Sequence, residues 1–138
     1  VRAGADDSAT HADGLLFVYG TLQTGQPNCR ELRDAELLGE ARTTAGHELV
    51  DLGAWPGLRR GGRGVVTGEL WRVPGHLWTS LDDFEGCPQD YTREMVELEG
   101  GVAAWAYVVT AKAARGAPVI AGGNWRAHCG AKNRSGDR

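Results

Sequence analysis

The sequence predicts a single mixed α+β domain, built mostly of β strands with few helices. Three observations carry this. Residues 15–19 (Leu-Leu-Phe-Val-Tyr) form a continuous apolar run, which suits a central strand buried on both faces. Residues 91–98 and 102–110 read as two strands joined at Gly100-Gly101, a hairpin pattern. The best-marked helix, within residues 77–86, is short. Its apolar face is Leu77, Leu81 and Phe84, with Pro74-Gly75 before it and Gly86 after it.

The length of 138 residues suits one domain with a real core and is too short for two ordinary ones. Residues 1–13 are small and polar and read as a disordered lead without the apolar stretch of a signal peptide. Residues 14–128 form the domain, and 129–138 a polar C-terminal tail. The first strand stops at Gly20-Thr21-Leu22, and residues 23–26 are loop. Residues 27–37 are expected to form a surface helix, with Pro27 in its first turn and Leu32 as its main apolar residue. Residues 36–43 and 46–52 read as strands. Residues 53–64 read as one long glycine-rich loop, a kind of segment that is often functional or mobile. Residues 65–73 return to strand, where Gly68 marks a bulge or a close backbone approach. In the second hairpin arm, Trp105, Tyr107 and Val109 share one face, and Ala104, Ala106 and Val108 the other. Residues 111–118 are loop or a helical turn, and Trp125 is a late anchor for the C-terminal segment.

Composition excludes several classes. The net charge is -3, and the only basic cluster is Arg59, Arg60 and Arg63, so there is no nucleic-acid footprint. No apolar run approaches the length of a membrane span. Cys29, Cys87 and Cys129 are odd in number and widely spaced. This argues against a disulfide framework or a zinc site and points to the reduced thiols of a cytoplasm. His11, His47, His76 and His128 show no metal-ligand spacing. The glycines have no period, so repeat arrays are out.

Two stretches bear on chemistry. Glu85 falls at the last turn of the short helix or just past it. There it faces the partial negative end of the helix dipole, with Asp82 and Asp83 close by in sequence. Both effects disfavour ionisation and predict a raised pKa, which suits a general base that later acts as an acid. The plain alternative is a solvated helix end, and this stretch alone favours it. The second stretch is Tyr19-Gly20-Thr21-Leu22. A buried strand ending at glycine exposes N–H groups that can form a nest for a carboxylate or a developing oxyanion. Its plain alternative is an ordinary strand-to-loop corner. Residues 61–64 lack the Gly-Lys-Ser/Thr ending and the following helix of a phosphate loop. No base is aimed by sequence at Cys29 or Cys87.

Taken in order, Phe17-Val18-Tyr19-Gly20-Thr21-Leu22, Gly25-Gln26-Pro27-Asn28, Trp55-Pro56-Gly57, Gly68-Glu69-Leu70-Trp71, Leu81-Asp82-Asp83-Phe84-Glu85-Gly86, Tyr91-x-Arg93 and Gly123-Asn124-Trp125 form a set. This set resembles the γ-glutamylcyclotransferase superfamily, and within it the γ-glutamylamine cyclotransferase-like branch. The resemblance implies a small mixed β-barrel with a few flanking helices and one cavity. It implies that the α-amine of a γ-glutamyl amide attacks its own γ-carbonyl, releasing 5-oxoproline and a free amine. Glu85 would be the catalytic acid/base. Tyr19, Gly20, Thr21 and Leu22 would hold the γ-glutamyl part through backbone groups, and Tyr91 would be the aromatic that follows the catalytic loop.

The implied partner is a small γ-glutamyl substrate, with no nucleic acid, membrane, cofactor or metal. Its leaving group would be a simple amine or a γ-glutamyl-protected biosynthetic intermediate such as an aminoglycoside, set by the 53–64 loop. Glutathione is less favoured. One alternative is a non-catalytic binding module with the same pocket, which would bind ligand and form no product. Another is an interaction protein that recruits a partner through its tails.

Overall fold

The apolar run near the N-terminus becomes β1 (Gly14–Val18). It lies between β5 (Thr67–Val73), to which it is antiparallel, and β7 (Val102–Val109), to which it is parallel. Leu16 and Val18 enter one apolar cluster while Phe17 and Tyr19 enter another, so both faces of this strand are buried. That is why the run is continuous rather than alternating. The computed structural model describes residues 12–136. Most of the expected 1–13 lead therefore lies outside the described residues, as do residues 137–138 of the tail.

The other elements are β2 (Glu36–Arg42), β3 (His47–Asp51), β4 (Pro56–Arg60), β6 (Tyr91–Leu98), β8 (Val119–Ile120), α1 (Trp78–Phe84) and α2 (Trp125–Gly136). Short 3-10 turns lie at Cys29–Leu32 and Gly75–Leu77. The eight strands form one mixed sheet in the order β2-β5-β1-β7-β4-β3-β8, with β6 paired to β7 along its whole length. Thr43, just past β2, bridges Leu98 at the end of β6, so the sheet curls into a half-barrel. The two faces of β7 part as the alternation predicts. Trp105, Tyr107 and Val109 join the cluster that takes Trp78 and Leu81 of α1, and Ala104, Ala106 and Val108 join the cluster that takes Trp125. Among the described residues no helix is long and apolar enough to cross a membrane.

Four expectations need correction. The helix expected over residues 27–37 is only the Cys29–Leu32 turn, and Leu32 is its single buried residue. One apolar anchor does not offset the cost of nucleating a helix, and the β2–β5 ladder recruits the chain from Glu36 onward. Residues 53–64 are not one loop. Pro56–Arg60 pairs in full register with β3 and meets β7 in parallel, leaving only short links on either side. Glycine serves close packing there: a Cβ on Gly57 would stand 2.8 Å from Val109. The buried residues of α1 are Trp78 and Leu81, whereas Phe84 is exposed. Residues 129–136, read as part of a polar tail, continue α2.

Gly68 is a close approach rather than a bulge. Its missing Cβ would stand 2.1 Å from the Val18 carbonyl oxygen, while the irregularity of the β2–β5 ladder lies further along, between Leu37 and Gly39, opposite Trp71 and Leu70. The approach brings β1 hard against β5 just before the chain turns at Gly20.

Candidate active site

α1 ends because Gly86 adopts a left-handed conformation at φ 67°, with its N–H bonded to the Asp83 carbonyl at 3.2 Å. Glu85, the residue before it, donates its backbone N–H to Leu81 at 2.9 Å. Its side chain lines a cavity of about 380 Å³. Residues 19–22 beyond β1, Pro56 at the head of β4 and Tyr91 at the head of β6 line the same cavity. Tyr107 of β7 completes that side, and Trp55, Asp83, Phe84 and Asp90 lie at the rim. All six residues singled out in the sequence, Tyr19, Gly20, Thr21, Leu22, Glu85 and Tyr91, are thus brought together.

The Glu85 carboxyl is pushed up from its ordinary 4.5 to about 7, and the cause is burial, which penalises the charged form. The direction matches the sequence expectation, but the cause differs. The Asp82 charge is neutralised rather than aimed at Glu85. Arg93 grips Asp82 with two N–H bonds, at 2.9 and 3.2 Å, and the Tyr107 hydroxyl donates to it at 2.7 Å. The Arg93 guanidinium lies between two indoles, 4.5 Å from the Trp78 ring and 4.9 Å from the Trp105 ring. Trp78 and Asp82 both belong to α1, so the helix that carries Glu85 is pinned at two points to the β6–β7 hairpin.

We expect Asp82→Ala to destabilise the fold by roughly 2 kcal/mol, since it leaves Arg93 and Tyr107 without their shared acceptor. Urea denaturation measures this, and a loss near zero would mean that the clamp does not hold α1.

The three phenols of the cavity are committed to the protein. Tyr19 donates to the Tyr107 carbonyl at 2.5 Å, Tyr91 to the Pro56 carbonyl at 2.8 Å, and Tyr107 to Asp82. Burial raises the pKa of all three above the ordinary tyrosine value, so they stay neutral. Tyr91 therefore ties β6 to β4. The N–H groups of Gly20, Thr21 and Leu22, by contrast, donate no hydrogen bond to any described residue. Their corner is held from other sides. A Cβ on Gly20 would stand 2.6 Å from the Pro56 ring. Asn28 donates to Thr21 at both its carbonyl and its hydroxyl oxygen, each at 2.9 Å. The buried Glu69 accepts from the Thr24 N–H at 2.9 Å, from Trp71 at 3.2 Å and from Arg126 of α2 at 3.0 Å, bracing the loop from behind. Among the described residues no group of three or more His, Cys, Asp or Glu side chains converges as a metal site.

Sequence reasoning did not single out Trp55, Asp90 or Tyr107 as site residues. Tyr107 stands opposite Arg93 in the hairpin register, so the hairpin reading held the signal that could have found it. Trp55 lay within the motif set and within the 53–64 segment expected to set the leaving group, but was not named as a site residue.

The chain matches the family described as "Gamma-glutamyl cyclotransferase, AIG2-like" over residues 16–127. It is 44% identical over 108 residues to the γ-glutamylaminecyclotransferase of Bos taurus, a match that covers 70% of this chain and 64% of the bovine protein. It is 34% identical over 110 residues to a γ-glutamylcyclotransferase family protein of Citrobacter rodentium, covering 80% of this chain and 93% of that one. Among solved structures, the AIG2-like protein of Mus musculus superposes with a TM-score of 0.66 at 33% identity, covering 72% of this chain and 79% of the mouse chain.

Proposed function

The chain belongs to the γ-glutamyl cyclotransferase, AIG2-like family, and from that premise we propose that it is a γ-glutamylamine cyclotransferase that forms 5-oxoproline. The observation that carries this reading is one carboxyl, Glu85, pushed up to about 7 in the cavity that also holds the unengaged N–H groups of residues 20–22. The substrate is a γ-glutamylated amine or a γ-glutamyl-protected biosynthetic intermediate, with aminoglycosides among the candidates.

The reaction needs two proton transfers and no water. The reacting form is the neutral α-amine, and the Glu85 carboxylate takes one proton from its nitrogen as the new bond forms. That nitrogen attacks the γ-carbonyl carbon and closes the five-membered ring. The carbonyl oxygen becomes an oxyanion, and the N–H groups of Thr21 and Leu22 are the donors free to receive it. The three tyrosine hydroxyls are not, since each already donates to the protein. The bond from the γ-carbon to the leaving nitrogen then breaks as Glu85 returns its proton to that nitrogen. One carboxyl serves both steps because its pKa lies near neutrality. The attack is intramolecular, so much of the acceleration comes from holding the glutamyl chain folded.

The test is release of 5-oxoproline, read by mass spectrometry, from γ-glutamyl-ε-lysine, γ-glutamyl-alanine, glutathione and a γ-glutamylated aminoglycoside. Release from an amine substrate supports the reading. Thermal stabilisation by these compounds with no product would make the protein a binding module instead.

The same carboxyl sets a pH profile. Protonated Glu85 cannot accept the first proton, so kcat/KM is expected to fall about tenfold per unit on the acid side. The bend of this limb should come at about pH 7. A bend in the ordinary carboxylate range would assign the base elsewhere.

A further inference from the structure

The charges around the cavity are one-sided. Its charged lining residues are Asp83, Glu85 and Asp90, and no lysine, arginine or histidine is among them. Glu85 is taken by the proton transfers. Asp83 and Asp90 are exposed and make no salt bridge to a described residue. Both stand close to the reacting end. Asp83 lies two residues before Glu85 and lines the same cavity, its backbone carbonyl accepting the Gly86 N–H that ends α1. Asp90 packs on the next residue, its Oδ2 2.6 Å from where a Cβ on Gly86 would stand.

The same rim carries two large aromatic side chains left in solvent, Trp55 at 51% exposure and Phe84 at 41%. They come from unrelated elements, the β3–β4 link and the end of α1, and the core uses neither ring. Exposed aromatics lining a cavity suit an apolar ligand stem, and they also attract a cation.

We infer that the leaving amine is an aliphatic diamine or polyamine: an apolar stem that ends in a second, protonated nitrogen and bears no carboxylate. This rests on the cyclotransferase reading and narrows its substrate class. The glutamyl part brings its own α-amine to Glu85, its γ-carbonyl to the Thr21 and Leu22 N–H groups, and its α-carboxylate to the remaining free donor, the Gly20 N–H. The second cation is then left for Asp83 and Asp90, with the stem against Trp55 and Phe84. A leaving amino acid would bring a carboxylate to an acidic rim that has no basic group to receive it.

Three substrates of matched shape test this: the γ-glutamyl amides of cadaverine, hexylamine and ε-aminocaproate. They share one stem and end in an ammonium, a methyl and a carboxylate. At low salt, kcat/KM should be highest for the ammonium, roughly fivefold above the methyl, with the carboxylate roughly another fivefold lower. The spread should shrink with added salt. It should collapse toward unity in the double variant Asp83→Asn with Asp90→Asn, both at exposed positions. Trp55→Ala should lower kcat/KM severalfold for all three while keeping their order.

A methyl substrate equal to or better than the ammonium overturns the inference while leaving the cyclotransferase reading intact, because 5-oxoproline is still formed. An order that persists in the double variant overturns the assignment to Asp83 and Asp90. Release from none of the three, with release from a compound of the first panel, overturns this inference alone; release from neither set overturns the cyclotransferase reading, and this inference with it.

Discussion

Glu85→Gln is expected to fold and to lose turnover by about a thousandfold or more, as when a sole acid/base is removed. Gln matches Glu in shape but neither accepts the first proton nor returns it. The remaining rate would come from the backbone donors and from holding the substrate folded. Single-turnover assays for 5-oxoproline measure the loss, and a variant within tenfold or so of wild type would move the proton transfers to another group.

The same substitution has an opposite effect on stability. The Glu85 carboxyl titrates at about 7 in the folded chain, against an ordinary value of 4.5. The folded state therefore keeps its proton across a range in which the unfolded chain has lost it. Stability contributed by this group is full below pH 4.5 and is lost as pH rises through 7. Above that range the ionised carboxylate costs up to about 3 kcal/mol, which Gln does not carry. Glu85→Gln should thus melt higher than wild type in mildly alkaline buffer and alike in mildly acidic buffer. Equal melting at both would mean that Glu85 is not desolvated as the structure has it.

Gly68→Ala is expected to have the largest effect on the fold. The added Cβ would lie 2.1 Å from the Val18 carbonyl oxygen and 3.0 Å from the Phe17 ring. The first neighbour is backbone at the centre of the sheet and cannot rotate away, so β1 and β5 must separate. We expect a loss of about 3 kcal/mol. Activity should fall beyond what unfolding explains, because the displaced strand leads directly into Tyr19, Gly20 and Thr21. Gly64→Ala is the control, since its Cβ would first meet His47 backbone at 3.5 Å. Urea denaturation compares the two, and a Gly68→Ala midpoint equal to that of the control would refute the close approach.

Much of this architecture was legible in local pattern. The β1 run, the hairpin of β6 and β7 and the two faces of β7 all rest on side-chain spacing, which survives folding when the strand is buried. The motif set pointed to one family, and residues far apart in the chain, Tyr19 and Glu85 among them, do line one cavity. The errors have a common source. The helix expected over residues 27–37 and the loop expected over 53–64 were read from local propensity. Pairing partners distant in sequence decided otherwise: β5 claimed residues 36–37, and β3 with β7 claimed residues 56–60.

By itself, the sequence determined the mixed α+β class and the family, and it singled out six residues that line one cavity. These depend on residue identity and short-range spacing. The cause of the Glu85 shift, the pairing of Asp82 with Arg93, the commitment of the three phenols and the acidic, aromatic rim were decided by tertiary structure alone. Desolvation, charge neutralisation and free donors are set by what packs against a group. Here those partners come from β1, β4, β6 and β7, which the pairings of β7 bring together from distant parts of the chain.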